Sequence, residues 1–209
     1  MKKSEKRSLI FTSLLCLLPL IINVCFYSKL PDEVVIHWDV NNVPNGFMDK
    51  FYYVFLMPIL LLFMHIFVCM MISKDKEKEA NKKMHSFVRL IFPIICNILT
   101  IITIIYNIYY KVDMRIICMC IVGTLFIIMG NYLPKTKNVK YINLGFSHNL
   151  SDKDYKVVAR ISGFVLIIDG ILAFISCLFN EWFSIGVVIL LILEGIGISI
   201  YTLKKKVRK

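Results

Sequence analysis

The residues whose side chains could do chemistry fall into two groups, one in a polar segment and one in apolar stretches. The polar segment, KLPDEVVIHWDVNNVPNGFMDK at residues 29–50, holds Glu33, His37 and Asp39, which are all metal-ligand types. A single histidine with no further ligand nearby makes a poor metal site, so we expect no metal ion and no other cofactor. His37 precedes Trp38. Either Trp38 anchors the segment at a membrane surface while His37 hydrogen-bonds a turn, or the two belong to a recognition surface.

The second group consists of His65, Asp169 and Glu194, each near the middle of an apolar run. A charged side chain at the centre of a bilayer costs about 2.5–3.5 kcal/mol, so we expect these groups to face other helices or to be protonated. One interpretation is that Asp169 and Glu194 hydrogen-bond across the helices and hold them together. The other is a proton-linked or ligand-gated switch, of which a transporter would be the natural form. Small residues on a face near Asp169, namely Ala159, Gly163, Gly170 and Ala173, predict close helix packing.

Catalytic motifs are absent from the sequence. It contains no G-x-S-x-G, no H-E-x-x-H and no glycine-rich phosphate loop. We therefore expect a protein that is not an enzyme.

The elements that must position these residues are membrane-spanning helices. Hydrophobic residues make up 58% of the 209, and the mean hydropathy is +0.71. About 20 apolar residues cross a bilayer as a helix, and the chain has six such runs, at about 8–28, 51–73, 87–110, 114–133, 157–179 and 182–203. The first run is longer than the apolar part of a signal peptide and no A-x-A-like site follows it, so we expect it to be retained.

Basic residues predict how these helices are oriented. Of 25 lysines and arginines, all but Lys29, Lys50, Lys111 and Arg115 fall on one side of a six-span arrangement. Since cytoplasmic loops collect lysine and arginine, both termini should be cytoplasmic and residues 29–50 should form the one long outer loop. The net charge of +11 is then a topological signal spread over several loops, which argues against nucleic acid as a partner.

The outer loop is expected to be structured. EVVIHW at 33–38 is typical of a short strand, and VPNG at 43–46 is a turn signal in which Asn45-Gly46 suits a positive φ. A passive connector needs only a few residues, so a loop of this length predicts a function.

The same loop resembles the DUF1648 module, which has Leu-Pro, a histidine with an aromatic, a Pro-x-Gly turn and a lysine. The matching residues are Leu30, Pro31, His37, Trp38, Pro44, Gly46 and Lys50. GNYLPKTKNV at 130–139, with Arg160 and Gly163, resembles the carboxy-terminal region of the SdpI family. Departures are Val35, where members often have a second proline, and LGFSHNL at 144–150, where members usually carry an Arg-Thr-Pro-Trp-like run.

The resemblance implies a DUF1648-like module at 1–73, a loop and third helix at 74–113 and an SdpI-like region at 114–209. It implies a multi-pass protein of the bacterial cytoplasmic membrane that gives immunity to a secreted, membrane-active peptide toxin. The seven matching loop residues would bind the toxin. Some members also resemble receptors that hold a transcriptional repressor at the membrane, a role that the divergence at 144–150 makes harder to transfer. The alternative is a small proton-linked transporter or membrane sensor that uses His65, Asp169 and Glu194.

Overall fold

The computed structural model describes residues 3–75, 79–110, 112–137 and 150–207. Residues 144–149 of the divergent loop lie outside them. Within the described residues, six helical stretches are long and apolar enough to cross a membrane, namely Glu5–Cys25, Tyr52–Ser73, Lys82–Tyr109, Met114–Lys135, Asp152–Ser176 and Glu181–Thr202. These stretches confirm the prediction of a mostly helical protein with six candidate spans.

The first two spans are interrupted near prolines. The first consists of α1 (Lys3–Leu15) and α2 (Leu18–Cys25), and Pro19 lies at the start of α2. The second opens with a π-helical turn at Tyr52–Leu56 and continues as α3 (Met57–Ser73). In a π-helical turn the N–H of a residue bonds the carbonyl five residues earlier. Pro58 has no N–H, so the Tyr53 carbonyl lacks this bond. Buried Asn23 donates its side-chain amide to this carbonyl at 3.4 Å, which ties α2 to the second span.

Of the remaining helices, α4 and α6 begin about five residues before the predicted runs, and α7 ends a few residues after its run. α4 (Lys82–Tyr109) takes up part of the charged 74–86 segment and contains Pro93. α6 (Asp152–Ser176) begins after Ser151, whose Oγ accepts from the Asp154 N–H at 3.1 Å. Ser151 and Asp154 are three residues apart, which is the spacing of a capping box, and this N-cap begins the helix as that sequence pattern indicates. α5 (Met114–Tyr132) and α7 (Glu181–Val207) complete the set.

An antiparallel β-hairpin connects the first two spans. β1 (Glu33–Trp38) pairs with β2 (Pro44–Asp49), which confirms the predicted strand at 33–38. The turn prediction was wrong, because Pro44 to Gly46 belong to β2 and the chain reverses at residues 39–43. Asp39 Oδ1 accepts from the backbone N–H groups of Asn41 and Val43, and Asn42 takes the positive φ, at 63°. An Asp side chain bonded to the next residues and an Asn in the left-handed region are enough to turn the chain without glycine.

The chain divides into two compact units. The first contains Met1–Lys74 and His85–Met114, and the second contains Asp75–Met84 and Arg115–Lys209. The hairpin belongs to the first unit.

In the second unit, Arg115 Nη1 donates to the carbonyls of Ser176 and Phe179 and to Ser184 Oγ at 3.0–3.4 Å. A guanidinium at the carboxyl end of α6 satisfies carbonyls that the helix leaves open.

Glycines set the spacing of α5 and α6 in the second unit. A Cβ on Gly163 would lie 2.7 Å from the Gly130 carbonyl oxygen, and one on Gly170 would lie 2.7 Å from the Gly123 carbonyl oxygen. The two helices touch through their backbones at these points, so any side chain there would push them apart. The small face predicted on α6 is confirmed.

Candidate functional site

The hairpin is fixed to α4 by one side chain. Asn107 Oδ1 accepts from the Val35 N–H at 2.8 Å, and its Nδ2 donates to the Val35 carbonyl at 3.0 Å. Asn107 and Val35 are both buried, so these two backbone groups could not bond water instead. A helix side chain thus takes the place of a neighbouring strand along the outer edge of β1.

A second asparagine fixes the tip of the hairpin. Asn42 donates its Nδ2 to the Val112 carbonyl at 3.1 Å, and its Oδ1 accepts from the Met114 N–H at 2.9 Å. These bonds attach the turn to the connection between α4 and α5. The hairpin is therefore held at its first strand and at its tip, as a rigid display needs to be.

Apolar contacts lie beneath the hairpin in two clusters. One is formed by the buried side chains of Leu30, Val34, Tyr53, Val54 and Ile104. The other contains Val35, Tyr106 and Met114, with half-buried Trp38 against it. The Trp38 ring meets Tyr106 edge-on at a centroid distance of 4.7 Å, a preferred arrangement of aromatic pairs.

The seven loop residues singled out from the sequence do not all face one surface. Leu30 is buried, and Pro31, Trp38 and Pro44 are half-buried. A Cβ on Gly46 would lie 2.7 Å from His37 Cβ, so Gly46 lets the strands approach. Lys50 forms an ion pair with exposed Asp32 at 3.0 Å and lies over the Tyr27 ring. His37 is exposed and hydrogen-bonds the Asn45 side chain.

The exposed part of the hairpin consists mainly of residues that the sequence analysis did not single out. Apolar side chains that are about half exposed are Val40, Val43 and Phe47 in the hairpin, and Phe51 and Tyr52 directly after it. Exposed Glu33 and Asp49 are directly opposite each other across the two strands. The available sequence signal was the two-residue period of a strand, which puts Phe47 and Asp49 on the same face.

Metal binding has no support in the described part of the chain, where no group of three His, Cys, Asp or Glu side chains is placed to hold an ion. Within the first unit, buried His65 instead hydrogen-bonds a neighbour: its Nε2 lies 3.0 Å from Thr12 Oγ1. The same nitrogen lies 3.6 Å from Cys69 Sγ.

Two acids lie together in the second unit. Asp169 on α6 is 1% exposed, and its carboxyl group interacts electrostatically with that of Glu194 on α7. Both Asp169 carboxyl oxygens and Glu194 Oε2 are buried without a well-formed hydrogen bond to any described residue. Asp169 therefore faces a neighbouring helix, as expected, and its carboxyl group lies next to that of Glu194.

Comparison with known proteins agrees with the resemblance found in the sequence. Residues 14–62 match the family model "Domain of unknown function (DUF1648)", a range that covers the end of α1, all of α2, the hairpin and the start of α3. The chain is similar to "Immunity protein SdpI" of Bacillus subtilis (strain 168), with 26% identity over 195 residues that span 93% of this chain and 92% of that protein. No solved structure matches.

The predicted resemblance is thus confirmed in both of its parts. The similarity and the six apolar helices together make this a multi-pass protein of the bacterial cell membrane, similar to the SdpI immunity protein and with a DUF1648 match at residues 14–62.

Proposed function

We propose that this protein gives its cell immunity to a secreted, membrane-active peptide, and that the 33–49 hairpin binds this peptide at the external face of the cell membrane. The similarity to an immunity protein over 93% of the chain supports the general role. The excess of lysine and arginine at the termini and in alternate loops supports cytoplasmic termini, which puts the hairpin outside.

The observation that carries this proposal is the double fixation of the hairpin by Asn107 and Asn42. A loop that only connected two helices would not need its strand edge and its tip bonded to another helix pair. A receptor surface does need this, because ordering a loop during binding reduces affinity. The exposed Phe47 ring and the Glu33–Asp49 pair then offer apolar and anionic contacts to an apolar, cationic peptide.

The test is the survival of a sensitive bacterial host that expresses the chain when it is exposed to candidate peptides. We expect His37→Ala and Trp38→Ala to lose most of the protection at an unchanged amount of membrane protein. Trp182→Ala is the matched control, because Trp182 is 69% exposed and lies outside the first unit. Survival of the Trp38→Ala strain at the level of the unmodified strain would overturn the role of the hairpin.

Inward signalling to a cytoplasmic repressor is a separate hypothesis. The loop that would make this contact includes residues 144–149, outside the described ones. A reporter of repressor activity in the presence and absence of the peptide tests it without reference to survival.

A proton-linked transporter or sensor is the second candidate, and one observation favours it. Two carboxyl groups that lie together in an apolar environment, as Asp169 and Glu194 do, are more typical of a working site than of a structural contact. Asp169→Asn separates the two functions. Asp169→Asn should leave protection unchanged if the hairpin binds the peptide. If the acid pair carries protons, Asp169→Asn should abolish the proton-linked activity, and His65→Gln should abolish it too.

A further inference from the structure

The hydrogen bonds of Val35 reveal which backbone groups of β2 are unused. Both its N–H and its carbonyl bond Asn107, so both point away from β2. In an antiparallel pair, two residues directly opposite each other turn their backbone groups either toward each other or both outward. Phe47 is opposite Val35, so the Phe47 N–H and carbonyl point to the far edge of β2.

The same alternation extends along the strand. The Lys50 N–H donates to the Asp32 carbonyl at 2.8 Å, so this neighbouring pair faces inward. The next pair, Glu33 and Asp49, then faces outward like Val35 and Phe47. The far edge of β2 therefore carries the backbone groups of Phe47 and Asp49.

The two edges of the hairpin differ in how they are covered. Asn107 covers the outer edge of β1, whereas no other described residue bonds the Phe47 backbone from outside the sheet. An uncovered strand edge is a template for a further strand. Pro44 limits this template at the start of β2, because proline has no N–H to offer.

Side chains beside this edge indicate what kind of strand would fit. Glu33, Phe47 and Asp49 are exposed and lie on the same face of the hairpin, since their cross-strand pairs alternate with Val34–Met48. Like charges placed opposite each other destabilise a sheet. Neither Glu33 nor Asp49 forms an ion pair with any described residue, while Asp32 has Lys50. A cation at this position would relieve the repulsion of the two acids.

We propose that an extended segment of the peptide joins the far edge of β2 as a third strand. Its backbone bonds the N–H and carbonyl of Phe47, one of its apolar side chains packs on the Phe47 ring, and a lysine or arginine lies beside Glu33 and Asp49. This inference rests on the proposed function and identifies the surface and the class of ligand. Recognition by addition of a strand derives its affinity from the main chain and its specificity from alternate side chains.

The test uses a synthetic probe in place of the natural peptide. It is a blocked heptapeptide of alternating valine and lysine, and its pair is the same peptide with N-methyl groups on alternate amides. The protein is purified whole into nanodiscs of zwitterionic lipid, which removes attraction to lipid charge. Amide hydrogen exchange at Phe47 and the dissociation constant are measured.

We expect the unmodified heptapeptide to slow exchange at the Phe47 amide and to bind about tenfold more tightly than the peptide methylated on the amides that face β2. Glu33→Gln and Asp49→Asn should each weaken binding. The Asp49→Asn change keeps the oxygen that accepts from the Phe51 N–H. Absence of binding, equal binding of the two peptides or unchanged exchange at Phe47 would overturn the proposal.

A pair of proline variants separates the edge from the rest of the hairpin. Phe47→Pro removes an outward N–H and should abolish probe binding while the hairpin stays folded, whereas Met48→Pro removes an inward N–H and should unfold the hairpin. Trp38 fluorescence in a Trp182→Phe background reports the fold. Phe47→Ala keeps the N–H and should retain slowed exchange there with reduced affinity.

The two proposals can fail separately. If Phe47→Pro cells survive the natural peptide while His37→Ala cells do not, the hairpin binds the peptide but not by addition of a strand. If no hairpin variant alters survival, the proposed function itself is wrong.

Discussion

The side-chain amide of Asn107 makes the same two hydrogen bonds to Val35 that a neighbouring β-strand would make. It accepts from the Val35 N–H at 2.8 Å and donates to the Val35 carbonyl at 3.0 Å, across 72 positions of sequence. The contact fixes the direction of the Val35 backbone groups and, through the strand pairing, that of the Phe47 backbone groups. It also shows how a two-stranded sheet, which is marginal by itself in water, is kept folded on a helical support.

Asn107→Leu should loosen the hairpin without unfolding the helices. The change leaves two buried backbone groups of Val35 unbonded, at a cost of about 1–3 kcal/mol each. Hydrogen exchange at the Val35 amide should accelerate strongly. Asn97→Leu is the matched control on the same helix, because the Asn97 amide bonds the carbonyls of Leu15 and Pro93 and not the hairpin. Equal exchange at Val35 in the two variants would contradict the assigned role of Asn107.

Gly46→Ala should separate the two strands of the hairpin. A Cβ at this position would lie 2.7 Å from the Cβ of His37, which cannot rotate away. Overpacking of this kind costs about 1–3 kcal/mol, and limited proteolysis of the 39–43 turn should become faster. Gly186→Ala in α7 is the control, since nothing lies within 4 Å of its new methyl group. If Gly46→Ala is as resistant to protease as the unmodified protein, the close approach of β1 to β2 at Gly46 and His37 is contradicted.

Gly170→Ala should destabilise the second unit. The new Cβ would lie 2.7 Å from both the Gly123 carbonyl oxygen and Ile127 Cγ1, and the backbone there cannot give way without moving a helix. We expect a lower midpoint in detergent-induced unfolding. Gly195→Ala, which meets nothing within 4 Å, should not lower that midpoint. Equal midpoints for the two variants would exclude close packing of α5 on α6.

Cys120 and Cys177 should form a disulfide when the membrane is treated with copper phenanthroline and oxygen, which accept the two electrons that the thiols lose. Their sulfur atoms lie 3.8 Å apart, between α5 and the end of α6. Mass spectrometry of the digested chain should find the linked peptides. Exposed Cys118 supplies the control, because in a Cys120→Ser variant it should not link to Cys177. Persistent free thiols at 120 and 177 would contradict the placement of these helix ends.

The general architecture could be predicted from the sequence because the bilayer imposes it. Its thickness dictates apolar runs of about 20 residues, and the part of the chain that the structure describes contains six such helices. The strand at 33–38 was also predictable from its β-branched residues, and so was the N-cap at Ser151. Both features depend on residues that are only a few positions apart, so the sequence alone is enough to predict them.

Long-range contacts were beyond prediction. Asn107 belongs to a polar stripe on α4, but nothing in the sequence reveals that its partner is the backbone of Val35. The turn was misplaced because Asn45-Gly46 is the stronger local signal, while the structure reverses at Asp39 to Val43 with Asn42 in the left-handed region. The position of Gly46 opposite His37 explains why a glycine is needed inside a strand instead.

The most direct test of the account is the side of the membrane on which the hairpin lies. Asn41 is exposed at the tip, and the nearby bonds to the connection of α4 and α5 come from Asn42, so Asn41→Cys should be tolerated. A membrane-impermeant maleimide applied to intact cells should label Asn41→Cys and should label Lys82→Cys, at the start of α4, only after permeabilisation. Labelling of Lys82→Cys but not of Asn41→Cys in intact cells would contradict the orientation and the proposed binding of an external peptide.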